Sequence, residues 1–396
     1  MPSISKRAQS MPASPLRKLV DTVKQREKDG LKVYYLNIGQ PDLETPKTFY
    51  KAVKKFSDNP VEYARSQGIE ESIDAWREYF SSVGIEFTNE EIMVTTGGSE
   101  ALAFAFSAVA DPGDEIIVFE PFYTNYNGFA TLGGINLAPV TTRIEDGFHL
   151  PDDATIEAAI NEKTKAIVIT NPSNPTGTVY AREELQRLVD IAVKHDLFII
   201  TDEVYREIVF EGECTSLMSF PEAADRVVLV ESVSKRFNIC GSRIGALATH
   251  NKDVLTTAVK FGMARLSAAT IEQLAVIPLL KDPKPITDPL REEYRKRRDV
   301  VFEGLQAIDG VVAKKPEGAF YIICELPVDS SEKFAKWMAE EFEHENETVL
   351  LAPASGFYVT PGKGEKEVRI AFVLDCAKLQ RALELLKIAV KQYNEK

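Results

Sequence analysis

Between about residue 90 and residue 250, short apolar runs alternate with stretches of helical periodicity. The runs are Glu115–Phe119, Ala166–Ile169, Leu197–Ile200, Val227–Val230 and Ile244–Ala248. Continuous rather than alternating apolar runs of this length, separated by helical patterns, predict an α/β fold: a mostly parallel central sheet covered on both faces by helices. Four of the runs lead into polar clusters, Glu120-Pro121-Phe122-Tyr123, Asn171 to Gly177, Thr201-Asp202-Glu203-Val204-Tyr205 and Ser232 to Lys235. Ligands of open α/β sheets bind at the carboxyl ends of strands, so these distant clusters are expected to meet in one crevice. An apolar helix is expected over Ala101–Ala110. The Pro-rich stretch Lys281–Pro285 reads as a boundary, followed by a charged helix over about Pro289–Ile308, strands near Ala319–Ile323 and Val368–Phe372, and a closing helix over about Ala377–Tyr393. The chain shows no internal repeat and no low-complexity segment.

Composition narrows the function. The chain has 396 residues, enough for two domains; 44% are hydrophobic and 27% charged, ordinary for a globular protein. A net charge of −13 argues against a nucleic-acid partner, because sequence-independent binding to phosphate backbones needs clustered Lys and Arg. The main basic cluster, Arg291 to Arg298, includes Glu292 and Glu293 and reads as a solvated helix face. No apolar stretch approaches a membrane span and Met1–Pro15 lacks a secretory core, so a cytoplasmic location is expected. Cys214, Cys240, Cys324 and Cys376 are far apart, and His149, His195, His250 and His344 are isolated; free thiols and no metal site are expected.

The chemistry centres on Lys235, which follows a strand and precedes Arg243 by eight residues. An amine in a water-poor pocket forms a Schiff base with a carbonyl, and a guanidinium nearby holds a phosphate; the pair suggests pyridoxal phosphate. Thr96-Gly97-Gly98-Ser99-Glu100, before the apolar helix, offers backbone N–H groups to the same phosphate or is a plain turn with a Ser cap. Asp202 suits the carboxylate that keeps a pyridine nitrogen protonated, or else it caps the next helix. Tyr205 and Asn174 suit the ring's phenolic oxygen, and Tyr123 suits its face; each also has an ordinary structural explanation.

In order and spacing these segments resemble a fold-type I pyridoxal-phosphate enzyme of the class I aminotransferase family, aspartate-aminotransferase-like. The matching residues are Asn37–Asp42, Tyr63–Gly68, Gly97–Leu102, Glu120–Tyr123, Asn171–Gly177, Asp202–Tyr205, Ser232–Lys235, Gly241–Gly245 and Val368–Ala371. The resemblance implies a large cofactor domain (41–288) and a small domain (1–40 and 289–396). It implies Lys235 as anchor and acid/base, Asp202 at the pyridine nitrogen, Tyr205 and Asn174 at the phenolic oxygen, and Tyr123 on the ring. Gly98, Ser99, Ser232 and Arg243 would hold the phosphate, with Glu100 and Ser234 among the cofactor contacts and Tyr63 reaching the partner's site in a homodimer. Arg369 would clamp the substrate α-carboxylate, helped by Gly39 and Asn174. The implied reaction moves an amino group between an L-amino acid and a 2-oxo acid, with an acidic donor and 2-oxoglutarate as acceptor. The same fold hosts β-lyases and synthases, and effector-sensing regulators that carry a DNA-binding segment, for which residues 1–36 are too short. Ser99 stands where one aspartate-aminotransferase branch has a lysine. Arg17, Arg65 and Arg265 remain as candidate readers of a distal carboxylate; Arg265, where relatives place side-chain-recognising residues, either takes that role or bonds the neighbouring subunit.

Overall fold

The computed structural model describes residues 2–11, 19–57 and 60–396. Strand β1 (Lys32–Tyr35) precedes a seven-stranded sheet of β2 (Ile92–Thr95), β3 (Glu115–Glu120), β4 (Asn136–Thr141), β5 (Thr164–Thr170), β6 (Phe198–Asp202), β7 (Val227–Ser232) and β8 (Gly245–Ala248). Across the sheet the order is β2-β8-β7-β6-β5-β3-β4. Only β8 runs antiparallel to its neighbours. Strands β3, β5, β6 and β7 are successive neighbours with one direction, so the polar clusters that follow them open on the same edge. The register completes the alignment: Thr170 lies opposite Asp202, and Asp202 opposite Val230.

Every residue of β2, β7 and β8 is buried, which explains their unbroken apolar character. The helix Gly97–Val109 lays Ala101, Leu102, Ala105, Phe106 and Val109 into the protein at helical spacing. It starts four residues before the expected position, at the glycine pair. There the Glu100 carboxylate accepts the Thr96 N–H at 2.8 Å and closes the first turn.

The C-terminal third adds β9 (Val312–Ala313), β10 (Tyr321–Glu325), β11 (Glu347–Leu350), β12 (Ala352–Pro353) and β13 (Glu367–Ala371). Four of them form an antiparallel sheet in the order β12-β13-β10-β9, and β11 pairs in parallel with β1. Helices Lys284–Gln306 and Cys376–Asn394 pack on each other and share a core with β10 and β13. The expected linker at 281–285 is instead a break of two residues between the helices Thr270–Lys281 and Lys284–Gln306. Pro289 lies inside the second helix. Its missing N–H removes one bond near the N-terminus, while Leu290, Tyr294, Val301 and Leu305 continue a buried face. We propose that 1–40 and 289–396 form the smaller unit, because β1 pairs with β11 and their neighbours share that core; its covalent border falls within a helix. Strand β10 begins at Tyr321, two residues later than expected. Ala319 has a φ of +54° and its N–H bonds Ile208 O at 2.8 Å, which ties the bend to the larger unit. Among the described residues no helix is long and apolar enough to cross a membrane.

Candidate active site

A cavity of about 460 Å³ opens at the carboxyl ends of the parallel strands. One end is built from close backbone approach. Gly245 lies between Thr95 and Ser232 in register, and a Cβ on it would come within 2.6 Å of the Gly97 carbonyl carbon and 2.8 Å of Gly98 N. Gly97 has a φ of +74°, and a Cβ there would strike the Arg243 guanidinium. Arg243 itself has a φ of +55°, a costly conformation for a side chain with a Cβ, and donates to Cys240 O at 2.9 Å. Ser232 Oγ accepts the Ser234 N–H at 3.1 Å. A helix N-terminus, two hydroxyls and a guanidinium thus face one corner, a donor set suited to a phosphate.

Asp202, at the end of β6, forms the floor. Its carboxylate accepts the Val204 N–H at 3.4 Å and the Tyr126 hydroxyl at 3.3 Å; the latter is also 2.6 Å from Thr170 Oγ1. Burial pushes its pKa up from 3.8 to about 6, against the pull of those two bonds and the Lys235 charge. Lys235 lies in a one-turn helix, Val233–Arg236, capped by Ser232. The next residue, Arg236, pairs with Glu231 in the core and stacks 4.1 Å from the Tyr79 ring centre, which fixes the turn. Lys235 Nζ is left in the cavity, donating to Gly39 O at 3.1 Å and 3.9 Å from Cys240 Sγ.

Arg369, on β13, forms the opposite wall at 2% exposure. It donates to Asn37 O at 2.7 Å and to Asn174 Oδ1 at 3.3 Å, and its guanidinium lies 4.5 Å from the Tyr321 ring centre and 5.1 Å from that of Phe357. Burial lowers its pKa, no carboxylate pairs with it among the described residues, and its buried Nε has no partner there. Tyr123 and Tyr205 complete the walls. Burial raises the Tyr123 phenol to about 12 and holds Tyr205 well above its ordinary range, so both stay protonated donors.

The expected contacts all line this cavity except Glu100, Tyr63 and Arg265. Glu100 does not line the cavity: its carboxylate serves Thr96 N–H and Arg265 Nε, the latter at 3.0 and 3.1 Å. Arg265 is the other member of that pair. Three of its other N–H groups go to Ser66 O, Leu266 O and Val94 O at 3.0–3.2 Å, and it does not line the cavity. Tyr63 is 81% exposed beside a separate surface recess and does not reach its own chain's cavity. Arg65 is exposed, and Arg17 lies outside the described residues. Tyr126, Cys240 and Tyr321 belong to the site although the sequence did not single them out. Tyr126 follows Tyr123 by three residues and Cys240 falls between Lys235 and Arg243, both readable signals. Tyr321 has none, since β10 pairing places it.

The model of the family described as "Aminotransferase class I and II" matches residues 32–386. The chain is 32% identical to the aspartate/prephenate aminotransferase of Thermus thermophilus, over 97% of this chain and 98% of that one. The structure of the Thermus thermophilus aspartate aminotransferase with maleate superposes with a TM-score of 0.90 at 31% identity, covering 98% of this chain and 100% of that one. An alanine aminotransferase from Pyrococcus furiosus gives 0.91 at 29% identity with the same coverage. This chain belongs to the aminotransferase class I and II family, whose members are pyridoxal-phosphate-dependent, and it is a transaminase of that fold.

Proposed function

We propose that the cavity holds pyridoxal 5'-phosphate and exchanges the amino group between an L-amino acid and a 2-oxo acid, with aspartate or glutamate among the donors and 2-oxoglutarate as acceptor. The residues fit the cofactor. The corner at Gly98, Ser99, Ser232, Ser234 and Arg243 suits its phosphate, Asp202 its ring nitrogen, and Tyr205 and Asn174 its phenolic oxygen. When bound, the cofactor supplies a protonated ring that withdraws electrons from the substrate's Cα.

The chain does the rest. Lys235 would hold the cofactor through its amine and, once released, would move the proton at the substrate's Cα. Asp202 would hold the proton on the ring nitrogen, and Tyr123 would cover the ring face. Arg369 takes the α-carboxylate with its planar fork, next to Asn174 and Gly39. The exposed Tyr63 serves the partner's site in a homodimer. The acidic donor is supported by the names of the relatives; with Arg265 committed to Glu100, a distal carboxylate would be met by neutral donors such as Ser99 and Asn125 or by the partner.

The observation that carries the reading is a buried guanidinium without a counter-charge, Arg369, facing Lys235 and Asp202 across one cavity. Borohydride reduction of the cofactor-loaded protein should fix the label on Lys235, located by peptide mapping, and a panel of amino acids should convert the bound cofactor to its amine form with aspartate or glutamate among the faster. Label on another lysine, or no conversion by any amino acid, would overturn it.

A further inference from the structure

Tyr205 and Tyr321 come from different parts of the chain, one following β6 and the other opening β10, yet their hydroxyl oxygens lie 3.1 Å apart with both residues 3% exposed. Their rings meet edge to face, with centres 5.7 Å apart and planes at 80°. Neither hydroxyl has another protein partner among the described residues. The slot that admits the Tyr321 hydroxyl exists because residue 39 is glycine: a Cβ there would collide with that oxygen. The Gly39 carbonyl in turn receives Lys235 Nζ at 3.1 Å.

We infer that Tyr321 is a positioning residue that acts through Tyr205: its hydroxyl donates to the Tyr205 oxygen, leaving the Tyr205 proton free for the cofactor's phenolic oxygen and making Tyr205 a stronger donor. The inference rests on the proposed cofactor. A phenol has one proton, so in a buried pair one hydroxyl is spent on the other. Tyr205 follows Asp202 by three residues on the side where the cofactor ring would lie, whereas the Tyr321 ring carries Arg369 and faces the substrate. If Tyr205 donated to Tyr321, it would have nothing left for the cofactor. In a chain of hydrogen bonds at low dielectric, each donor strengthens the next. Burial, with Tyr123 and Asp202 nearby, keeps the Tyr205 phenol protonated and therefore able to donate. Because the Tyr321 ring also supports Arg369, one side chain joins the carboxylate clamp to the electronics of the cofactor.

The test uses the wild type, Tyr205→Phe, Tyr321→Phe and the double variant, each loaded with pyridoxal phosphate, with the visible absorption of the bound cofactor titrated against pH. Losing a donor to the phenolic oxygen leaves more electron density for the imine nitrogen, so the midpoint should rise. Tyr321→Phe should raise it by about half a unit, the scale of one weakened neutral hydrogen bond. Tyr205→Phe should raise it further, and the double variant should coincide with Tyr205→Phe because Tyr321 then has nothing to act through. The KM for the amino donor should stay within about threefold in Tyr321→Phe, since the ring beneath Arg369 remains. An unmoved midpoint in Tyr321→Phe, with or without lost thermal stability, would overturn the inference, as would additive shifts in the double variant. A wild type with no cofactor band would overturn the cofactor reading as well, so the two failures are distinguishable.

Discussion

Arg369 and Arg265 are both set into the protein, and their surroundings are opposite. Arg265 meets the Glu100 carboxylate and three backbone carbonyls at the edge of the helix Gly97–Val109, with both side chains about one-sixth exposed. Arg369 is more deeply buried and, among the described residues, has only neutral acceptors and an unpartnered Nε. The contrast extends around the site: in the shell behind the cavity Arg236 pairs with Glu231 and Arg206 with Glu203, whereas within it Lys235, Asp202 and Arg369 have no ion-pair partner in contact among the described residues. A buried charge without a partner is unfavourable to the fold unless a ligand completes it. Matched pairs shape the site, and the unmatched charges line its cavity.

The largest expected effect comes from removing the unmatched guanidinium. Arg369→Met should lower kcat/KM by about two orders of magnitude, the worth of two charge-assisted hydrogen bonds at about 1.5 kcal/mol each, and should leave the cofactor-free Tm equal or higher. Unchanged kcat/KM for every accepted amino acid would place Arg369 with the structural pairs.

Asp202 tests the same idea through pH. Its folded pKa, about 6, is above the ordinary 3.8, so its ionised form is penalised by folding. Well below pH 4 the group is protonated in both states and carries no penalty; between about pH 4 and 6 the unfolded state ionises while the folded state stays protonated, and stability is lost until the loss is complete above 6. Asp202→Asn should therefore gain on the cofactor-free wild type across this window by about 3 kcal/mol, the rise from 3.8 to about 6 at about 1.4 kcal/mol per unit, measured by denaturant unfolding at pH 3 and pH 8. A gap that does not change with pH would contradict a desolvated carboxyl.

The smallest change in chemistry belongs to Arg265→Ala. It should destabilise by about 1–3 kcal/mol by leaving Glu100 unpaired, while the ratio of aspartate to alanine turnover stays the same. A selective loss of aspartate activity would restore Arg265 as the reader of a distal carboxylate.

Much of this was readable from the chain. The alternation of apolar runs and helical patterns determined the α/β sheet, because a strand buried on both faces has to be apolar throughout. The clusters after those runs determined the cofactor side, because Lys235, Asp202, Ser232 and Arg243 are placed by strands of their own segment. What only the tertiary structure decided is how charges and hydroxyls from separate segments partner one another. Glu100 and Arg265 are 165 residues apart, and nothing local says that each neutralises the other. The Pro-rich stretch at 281–285 has the composition of a linker, yet the buried face beyond it supports a helix through Pro289. Tyr321 reaches Tyr205 only because β10 pairs with β13 and residue 39 has no Cβ. Periodicity and turn chemistry are local properties of the chain, whereas the balance of a buried charge or hydroxyl depends on whichever groups folding brings within about 3 Å of it.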